Sequence, residues 1–519
     1  MAAQAPDELY QQGLALAKEQ RWAEARAAFE AGRRAAPGEA RFRVQLAGIA
    51  FTLDEMGVAR RHLRGALRLE PGNAYANEFL ATVYAIDENL DAALKYWNRA
   101  GKPEVAALNV PSGLQTRREV VDSAFEFAPL GRLRREEYLG TRARLDQLGV
   151  FPRYRFEVRP QAAGDKFEVD FSAAERNGWG PPGWARYLLP LRGVFFQAVM
   201  PEYANWGGRG VNVRSLARWD GNKQRLAAEI SGPVGGDAAM RHTAYVDYRR
   251  ERWDLTRSYR GGGTAPADLE LGKFAAGYGF RQLVSHRLAW WSEIEVNWRG
   301  LPGGAPEENE FAEGVAPVAR AGLEAELLNV PERRFRIEGG FSADAGKVMS
   351  SGLGAFVKTQ AYVRQEWFPR ARGEDYAVRS MLRAGRSGGG LPFDELHVLG
   401  VERDTGLWMR GRAGTEGGRK GSAPLGRDYV LATWEMDKVV HRGALWTITA
   451  GPLVDTGRVW DGRGAFGSPL WLTSAGVQGR IRVLAGPEVT LSWGRDLRGG
   501  GNVFYATLGR GPLLARQVR

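Results

Sequence analysis

Apolar and polar side chains alternate along most of the carboxy-terminal half of this chain. Over 474–483, Ala475, Val477, Ile481 and Val483 share one side, and Gln478, Arg480 and Arg482 the other. Over 488–494, Val489, Leu491 and Trp493 oppose Thr490 and Ser492; over 356–367, Val357, Ala361, Val363 and Trp367 oppose Lys358, Gln360, Arg364 and Glu366. A period of two is the signature of a strand with unlike surroundings on its two faces. From about Gly193 such segments follow one another, separated by Gly, Pro and charged turns. About sixteen are expected, an even number as a closed bacterial barrel requires.

A soluble β-sandwich alternates in the same way. It would bury its apolar faces in one core with few tryptophans. Here Trp253, Trp298, Trp367, Trp460, Trp471 and Trp493 are expected near strand ends, where indole rings sit at a membrane interface. No stretch approaches the ~20 apolar residues of a spanning helix; the densest, Leu288–Trp291, is broken by Ser292 and Glu293. The pattern predicts a transmembrane antiparallel β-barrel over 190–510, with charged residues lining a water-filled lumen.

Residues 6–105 carry a different period. Ala25, Ala59 and Ala93 lie 34 apart, as do Phe29, Leu63 and Trp97, and Pro37 and Pro71 close successive units at that spacing. Small residues let antiparallel helices approach, large ones fill the groove beside them, and proline ends each second helix. A plain amphipathic bundle would not impose this register. The segment resembles the tetratricopeptide repeat (TPR), with Gly13, Ala47 and Ala81 in its small-residue slot and Leu46, Leu80 and Tyr84 also on pattern. That resemblance implies an all-α surface for peptides or partner proteins.

Between the two lies a small α/β module, 118–177. Residues 119–127 alternate as an extended segment, Leu133 to Leu148 reads as a helix, and Arg153–Val158 and Phe167–Phe171 read as strands. The run Leu145–Phe151, with those strands and Glu175-Arg176, resembles the end of a POTRA domain. POTRA domains are periplasmic modules that precede barrels of the BamA and two-partner-secretion superfamily.

Composition narrows the reading further. Sixty-eight glycines and 17 tryptophans suit a turn-rich aromatic barrel, and the absence of cysteine excludes disulfides and thiolate chemistry. The net charge of +12 is spread along the chain rather than clustered, which favours an anionic membrane lipid over nucleic acid as partner. Met1–Ala5 has neither the basic start nor the apolar core of a signal peptide, so a mature chain is expected. The five histidines show no metal-ligand spacing, and no catalytic elbow or phosphate loop occurs. Neither an enzyme nor a cofactor is expected.

Two motifs identify the barrel more closely. Leu407-Trp408-Met409-Arg410-Gly411-Arg412 lies in a long Gly-rich loop, expected between the eleventh and twelfth strands. Leu453-Val454-Asp455-Thr456-Gly457 follows, after a strand expected to end in Glu435. They resemble the hydrophobic-Arg-Gly-aromatic loop motif and the Phe-x-Asp-x-Gly strand motif of the BamA/TamA superfamily. Parity supports the second independently, because Asp455 shares a face with Thr447 and Thr449, opposite Trp446, Ile448 and Val454. The resemblance implies that Met409, Arg410 and Gly411 fold back into the lumen, where Arg410 locks onto a wall formed by Asp455, Gly457 and Glu435. Three departures stand out: Arg412 and Leu453 replace aromatic residues, and the chain ends Ala515–Arg519 without a terminal aromatic. The implied function is assembly or translocation of client polypeptides at the bacterial outer membrane. The helical and POTRA-like modules would hold clients or accessory proteins in the periplasm. A TPR-bearing porin for polysaccharide or surface-lipoprotein export is the alternative.

Overall fold

The computed structural model describes residues 5–161, 166–180, 190–261, 264–304, 310–349, 351–443, 446–468, 470–483 and 488–508. The amino-terminal Met1–Gln4, part of the triple glycine at 261–263 and the terminal Ala515–Arg519 therefore lie wholly or partly outside the described residues. The chain divides into two compact units. One comprises Met1–Pro111, Phe125–Leu139 and Arg155–Ser172; the other comprises Ser112–Ala124, Gly140–Tyr154 and Ala173–Arg519.

In the first unit, six helices form three hairpins: α1 (Pro6–Lys18), α2 (Trp22–Ala35), α3 (Ala40–Thr52), α4 (Met56–Leu69), α5 (Ala74–Ile86) and α6 (Leu90–Trp97). The first helices of the pairs begin at 6, 40 and 74, and the second at 22, 56 and 90, so the 34-residue register is structural as well as sequential. The turn inside each hairpin places one residue in the left-handed region, at Gln20, Asp54 and Glu88, again 34 apart. Ala25, Phe29, Ala59, Leu63, Ala93 and Trp97 are all buried. Gly13 explains the close approach of α1 and α2, since a Cβ there would stand 2.6 Å from the Phe29 ring. Asn73 and Asn89 cap α5 and α6 by accepting from the amides of Ala76 and Ala92.

A three-stranded sheet of β1 (Glu104–Asn109), β2 (Arg153–Pro160) and β3 (Lys166–Ala174) has the order β1-β3-β2, with β1 and β3 parallel. Two helices, α7 (Arg118–Ala124) and α8 (Arg135–Leu148), separate β1 from β2 in the chain. The expected extended segment at 119–127 is thus corrected, because its first part is helical. Val120, Val121 and Ala124 are the buried residues, one helical face rather than alternate positions. Phe125, Phe127, Phe156 and Phe171 form an edge-to-face aromatic cluster beside the sheet.

The second unit is dominated by one large antiparallel sheet. Its strands are β4 (Ala198–Val199), β5 (Glu202–Trp206), β6 (Val211–Asp220), β7 (Lys223–Val234), β8 (Asp237–Trp253), β9 (Leu269–Ser285), β10 (Leu288–Gly300), β11 (Gly314–Val330), β12 (Phe335–Gly346), β13 (Phe356–Trp367) and β14 (Tyr376–Gly389). After a long excursion come β19 (Asp428–Arg442), β20 (Trp446–Trp460), β21 (Leu472–Val483), β22 (Glu488–Asp496) and β23 (Asn502–Leu508). The excursion itself holds only two-residue strands: β15 (His397–Val398), β16 (Thr415–Glu416), β17 (Arg419–Lys420) and β18 (Leu425–Gly426). Each long strand pairs with its neighbour in the chain, and β14 pairs directly with β19 across the excursion. Both β4 and β5 pair with β6 and so form one interrupted strand. With that pair taken as one, fifteen wall strands lie among the described residues. Their order is that of a barrel. In that order β23 and β4 are neighbours, and the seam between the first and last wall strands falls there.

Burial is inverted relative to a water-soluble sheet. Leu226, Val246, Ile294, Val296, Leu323, Phe341 and Phe504 are exposed, while Arg225, Asp247, Glu295, Asn297 and Arg299 are buried. Within β21, Val477 is 55% exposed and Gln478 only 4%. Apolar side chains outside and paired charges inside suit a barrel whose outer solvent is lipid. No helix among the described residues is long and apolar enough to span a membrane. Trp298, Trp367, Trp446, Trp460 and Trp471 are exposed at or beside strand ends. Trp253 departs from the expected girdle: it points inward, is buried, and packs edge-on against Phe393 at 5.5 Å.

Candidate functional site: the lumen loop

Residues 390–427 leave the wall after β14 and return at β19. Leu399, Leu407 and Met409 pack with Tyr429 and Leu431 of β19, Val459 of β20 and Leu472 of β21 in one buried cluster. This apolar anchor fixes the backbone on either side of Trp408, whose indole N–H donates to the Glu402 and Thr405 carbonyls at 2.9 and 2.7 Å. The residue after the anchor is Arg410.

Arg410 meets Asp455 with both its backbone and its side chain. Its amide donates to Oδ2 at 2.8 Å, Nη2 donates to Oδ1 at 2.6 Å, and Nε lies 3.0 and 3.2 Å from the two oxygens. Nη1 donates to Glu435 Oε2 at 2.8 Å and lies 3.3 Å from Gln478 Oε1. The Arg410 side chain is 10% exposed and that of Asp455 0%. This fork uses the planar guanidinium in a way an ammonium cannot. Burial alone would lower the Arg410 pKa, but its bonds to Asp455 and the charges of Asp455 and Glu435 raise it above the ordinary value. Glu435 also accepts from Arg480 Nη2 at 2.7 Å. A relay of alternating charges therefore runs along β19 and β21, and Asp437 continues it by accepting from Arg379 and Arg480.

Gly411 is required by the approach of two backbones. A Cβ there would stand 2.6 Å from the Arg495 carbonyl carbon and the Asp496 nitrogen, and one on Gly494 would stand 2.3 Å from the Arg410 carbonyl oxygen. The glycine pair lets the loop lie directly on β22. Gly457 serves the wall instead, where a Cβ would meet the Val430 carbonyl oxygen at 2.7 Å.

The structure thus brings together Met409, Arg410, Gly411, Asp455 and Glu435. Two details differ from the sequence reading. Glu435 lies in the middle of β19 rather than at a strand end, and the loop follows the tenth wall strand among the described residues. The departure at Arg412 has a partner, since Nη2 lies 2.5 Å from Asp496 Oδ2. Leu453, the other substituted position, is buried toward the lumen.

Sequence reasoning missed a second tether on the opposite stretch of wall. Asp404 accepts from Arg218 Nη2 at 2.7 Å, Arg225 Nη1 at 2.8 Å and Lys420 Nζ at 3.3 Å. Lys420 also donates to Glu251 at 2.6 Å, and Lys223 lies 3.5 Å from Glu402. Burial alone would raise the Asp404 pKa; Lys420, Arg218, Arg225 and Arg249 hold it well below the carboxylate range. The loop's first turn adds a third, through Glu395, which meets Lys273 at 2.6 Å and Lys358 at 3.2 Å. Arg225, Glu251, Lys273, Arg299 and Lys358, on β7, β8, β9, β10 and β13 in turn, are thus each engaged by the loop. No spacing signal marks Asp404; only the inward parity of Arg218 and Arg225 could have suggested a lumenal anion. Among the described residues no group of potential metal ligands occurs.

No protein-family model matches this sequence, and no curated protein does. Solved structures do resemble it. CdiB from Escherichia coli matches with a TM-score of 0.50 at 12% identity, over 79% of this chain and 74% of that one. CdiB from Acinetobacter baumannii (TM-score 0.47, 10% identity, 78% and 73% covered) is also similar. So is BamA from Haemophilus ducreyi lacking POTRA domains 1–3 (TM-score 0.45, 11% identity, 78% and 84% covered). At these identities the likeness is one of fold, and it rests on the first of the three.

Proposed function

We propose that this chain is an outer-membrane barrel that assembles client polypeptides into the membrane or passes them across it. The observation that carries the reading is the buried fork of Arg410 on Asp455, which pins a lumen loop to the wall of a CdiB-like barrel. A loop held by Asp455 on one stretch of wall and by Arg218 and Arg225 on another can couple the state of the lumen to that of the wall. The β1-α7-α8-β2-β3 order supports reading the middle module as POTRA-like, and its edge strand β2 offers an extended client free backbone groups to pair with. The 34-residue hairpins support the TPR reading, with a surface for a client or an accessory protein. In this reading both modules work in the periplasm, and the contribution is mechanical rather than catalytic.

The test is client folding in proteoliposomes. The purified protein is reconstituted, an unfolded outer-membrane barrel client is added, and the rate of its conversion to a heat-modifiable, protease-resistant form is followed. Faster conversion than in protein-free liposomes is expected. An equal rate with every unfolded or secreted client offered would remove the proposal.

A further inference from the structure

The helical unit carries a cationic notch that the barrel reading does not use. Between residues 31 and 69 stand eight arginines against three acids. Arg41 and Arg60 are engaged by Glu39 with Asp7 and by Asp87 respectively. Arg33, Arg43, Arg61 and Arg68 have no carboxylate partner among the described residues. On α4, Arg61, Gly65 and Arg68 share one face at i, i+4 and i+7. Gly65 leaves a gap in that face, and the Arg43 guanidinium of α3 occupies it, with Nη1 2.9 Å from where a Cβ would stand. Like charges are thereby gathered on three helices. Burial and then the charges of Arg33 and Arg68 push the Arg43 pKa down, and burial with Arg33, Arg43 and Arg61 does the same to His62, opposed only by Glu30.

Two of these guanidinium groups are also unsatisfied. The Nε atoms of Arg33 and Arg43 are buried and have no hydrogen-bond acceptor. A buried donor left without a partner, among like charges, is unfavourable unless an anion completes it. We propose that the Gly65 notch, bounded by Arg33, Arg43, Arg61 and Arg68, binds an acidic peptide segment whose carboxylates accept from these guanidinium groups. Recessed Nε atoms favour a carboxylate on a flexible chain over a flat anionic lipid surface, which would meet only the exposed guanidinium ends. This inference stands apart from the assembly reading, because it needs neither the barrel nor a client-folding activity.

The test uses the full chain in neutral detergent and a fluorescent octaglutamate peptide, followed by anisotropy. The wild type is expected to bind, with affinity falling as salt rises. Arg33→Gln with Arg43→Gln should weaken binding by about tenfold or more, the loss of one or two charge-assisted hydrogen bonds. Arg21→Gln with Arg26→Gln removes the same net charge elsewhere and should leave binding unchanged. Gly65→Ala keeps every charge but displaces the Arg43 tip, and should also weaken binding. Helical circular dichroism confirms that the variants fold, as expected when like-charge repulsion is relieved. Equal binding by both double variants, or binding of short-chain phosphatidylglycerol with none of octaglutamate, would overturn the proposal.

Discussion

Replacing Asp455 by Asn removes the negative charge from the loop's main anchor while keeping its shape. Three Arg410 donors, the amide, Nε and Nη2, converge on this carboxylate, and both side chains are nearly or fully excluded from solvent. Breaking a buried ion pair by removing one partner costs about 3–5 kcal/mol. Glu435 and Gln478 remain on Nη1, and the asparagine oxygen retains one acceptor, so the low end applies. A loss of about 3 kcal/mol multiplies the undocked population of the loop by about a hundredfold. Native-state trypsin cleavage after Arg410 or Arg412 reads that population directly when loop opening is fast relative to cutting. Asp455→Asn should therefore raise the cleavage rate by about two orders of magnitude. Glu435→Gln should raise it less, because Glu435 divides its bonds between Arg410 and Arg480. The wall should stay folded in both, as judged by heat-modifiable migration. An unchanged cleavage rate in Asp455→Asn would refute the buried-pair reasoning and leave Arg410 a solvated loop arginine.

Other perturbations follow from the same geometry. Gly411→Ala drives a methyl into the backbone at Arg495–Asp496 and should cost about 1–3 kcal/mol of docking, visible as faster tryptic cleavage. His397 is buried, lies 3.2 Å from Ser387 Oγ and packs on Tyr429; burial first, then Lys358, pushes its pKa well below the ordinary value. The unfolded loop thus takes up the proton that the folded one refuses. The His397 contribution to stability is complete above about pH 6.5 and falls by about 1.4 kcal/mol per unit below it, until the depressed folded pKa is reached. Thermal unfolding of His397→Gln between pH 5 and pH 7.5 should be flatter than wild type over that window. Phe29→Ala should cost the helical unit about 3–5 kcal/mol, read by the helical signal in thermal melts, because its ring fills the Gly13 groove.

What the sequence made legible followed periodicity. The 34-residue spacing located every helix pair because each repeat makes the same contacts, and alternation sorted outward-facing from lumen-facing residues because one face is apolar and the other charged. Parity also placed Asp455 inside. Segments whose pattern was too short to show a period were harder to read. Helix α7 is seven residues long, and Phe125 and Phe127 just beyond it lent the stretch a false alternation. Strand β1 is six residues long and follows the last repeat with hardly a break. Trp253 shares the inward parity of Asp247 and Glu251 on β8, and Phe393 of the loop covers it, a contact between residues far apart in sequence. The Asp404 tether was hidden for the same reason: a loop acid acquires meaning only when the fold sets it between Arg218 and Arg225.

The measurement that bears most directly on the account is a double-mutant cycle of Arg410→Ala and Asp455→Ala, read in parallel by loop cleavage and by client folding in proteoliposomes. If the docked loop is the working part, each single variant slows client folding, the double variant is no slower than either, and the coupling energies from the two assays agree. Wild-type client folding by variants whose loop is cleaved freely would contradict it.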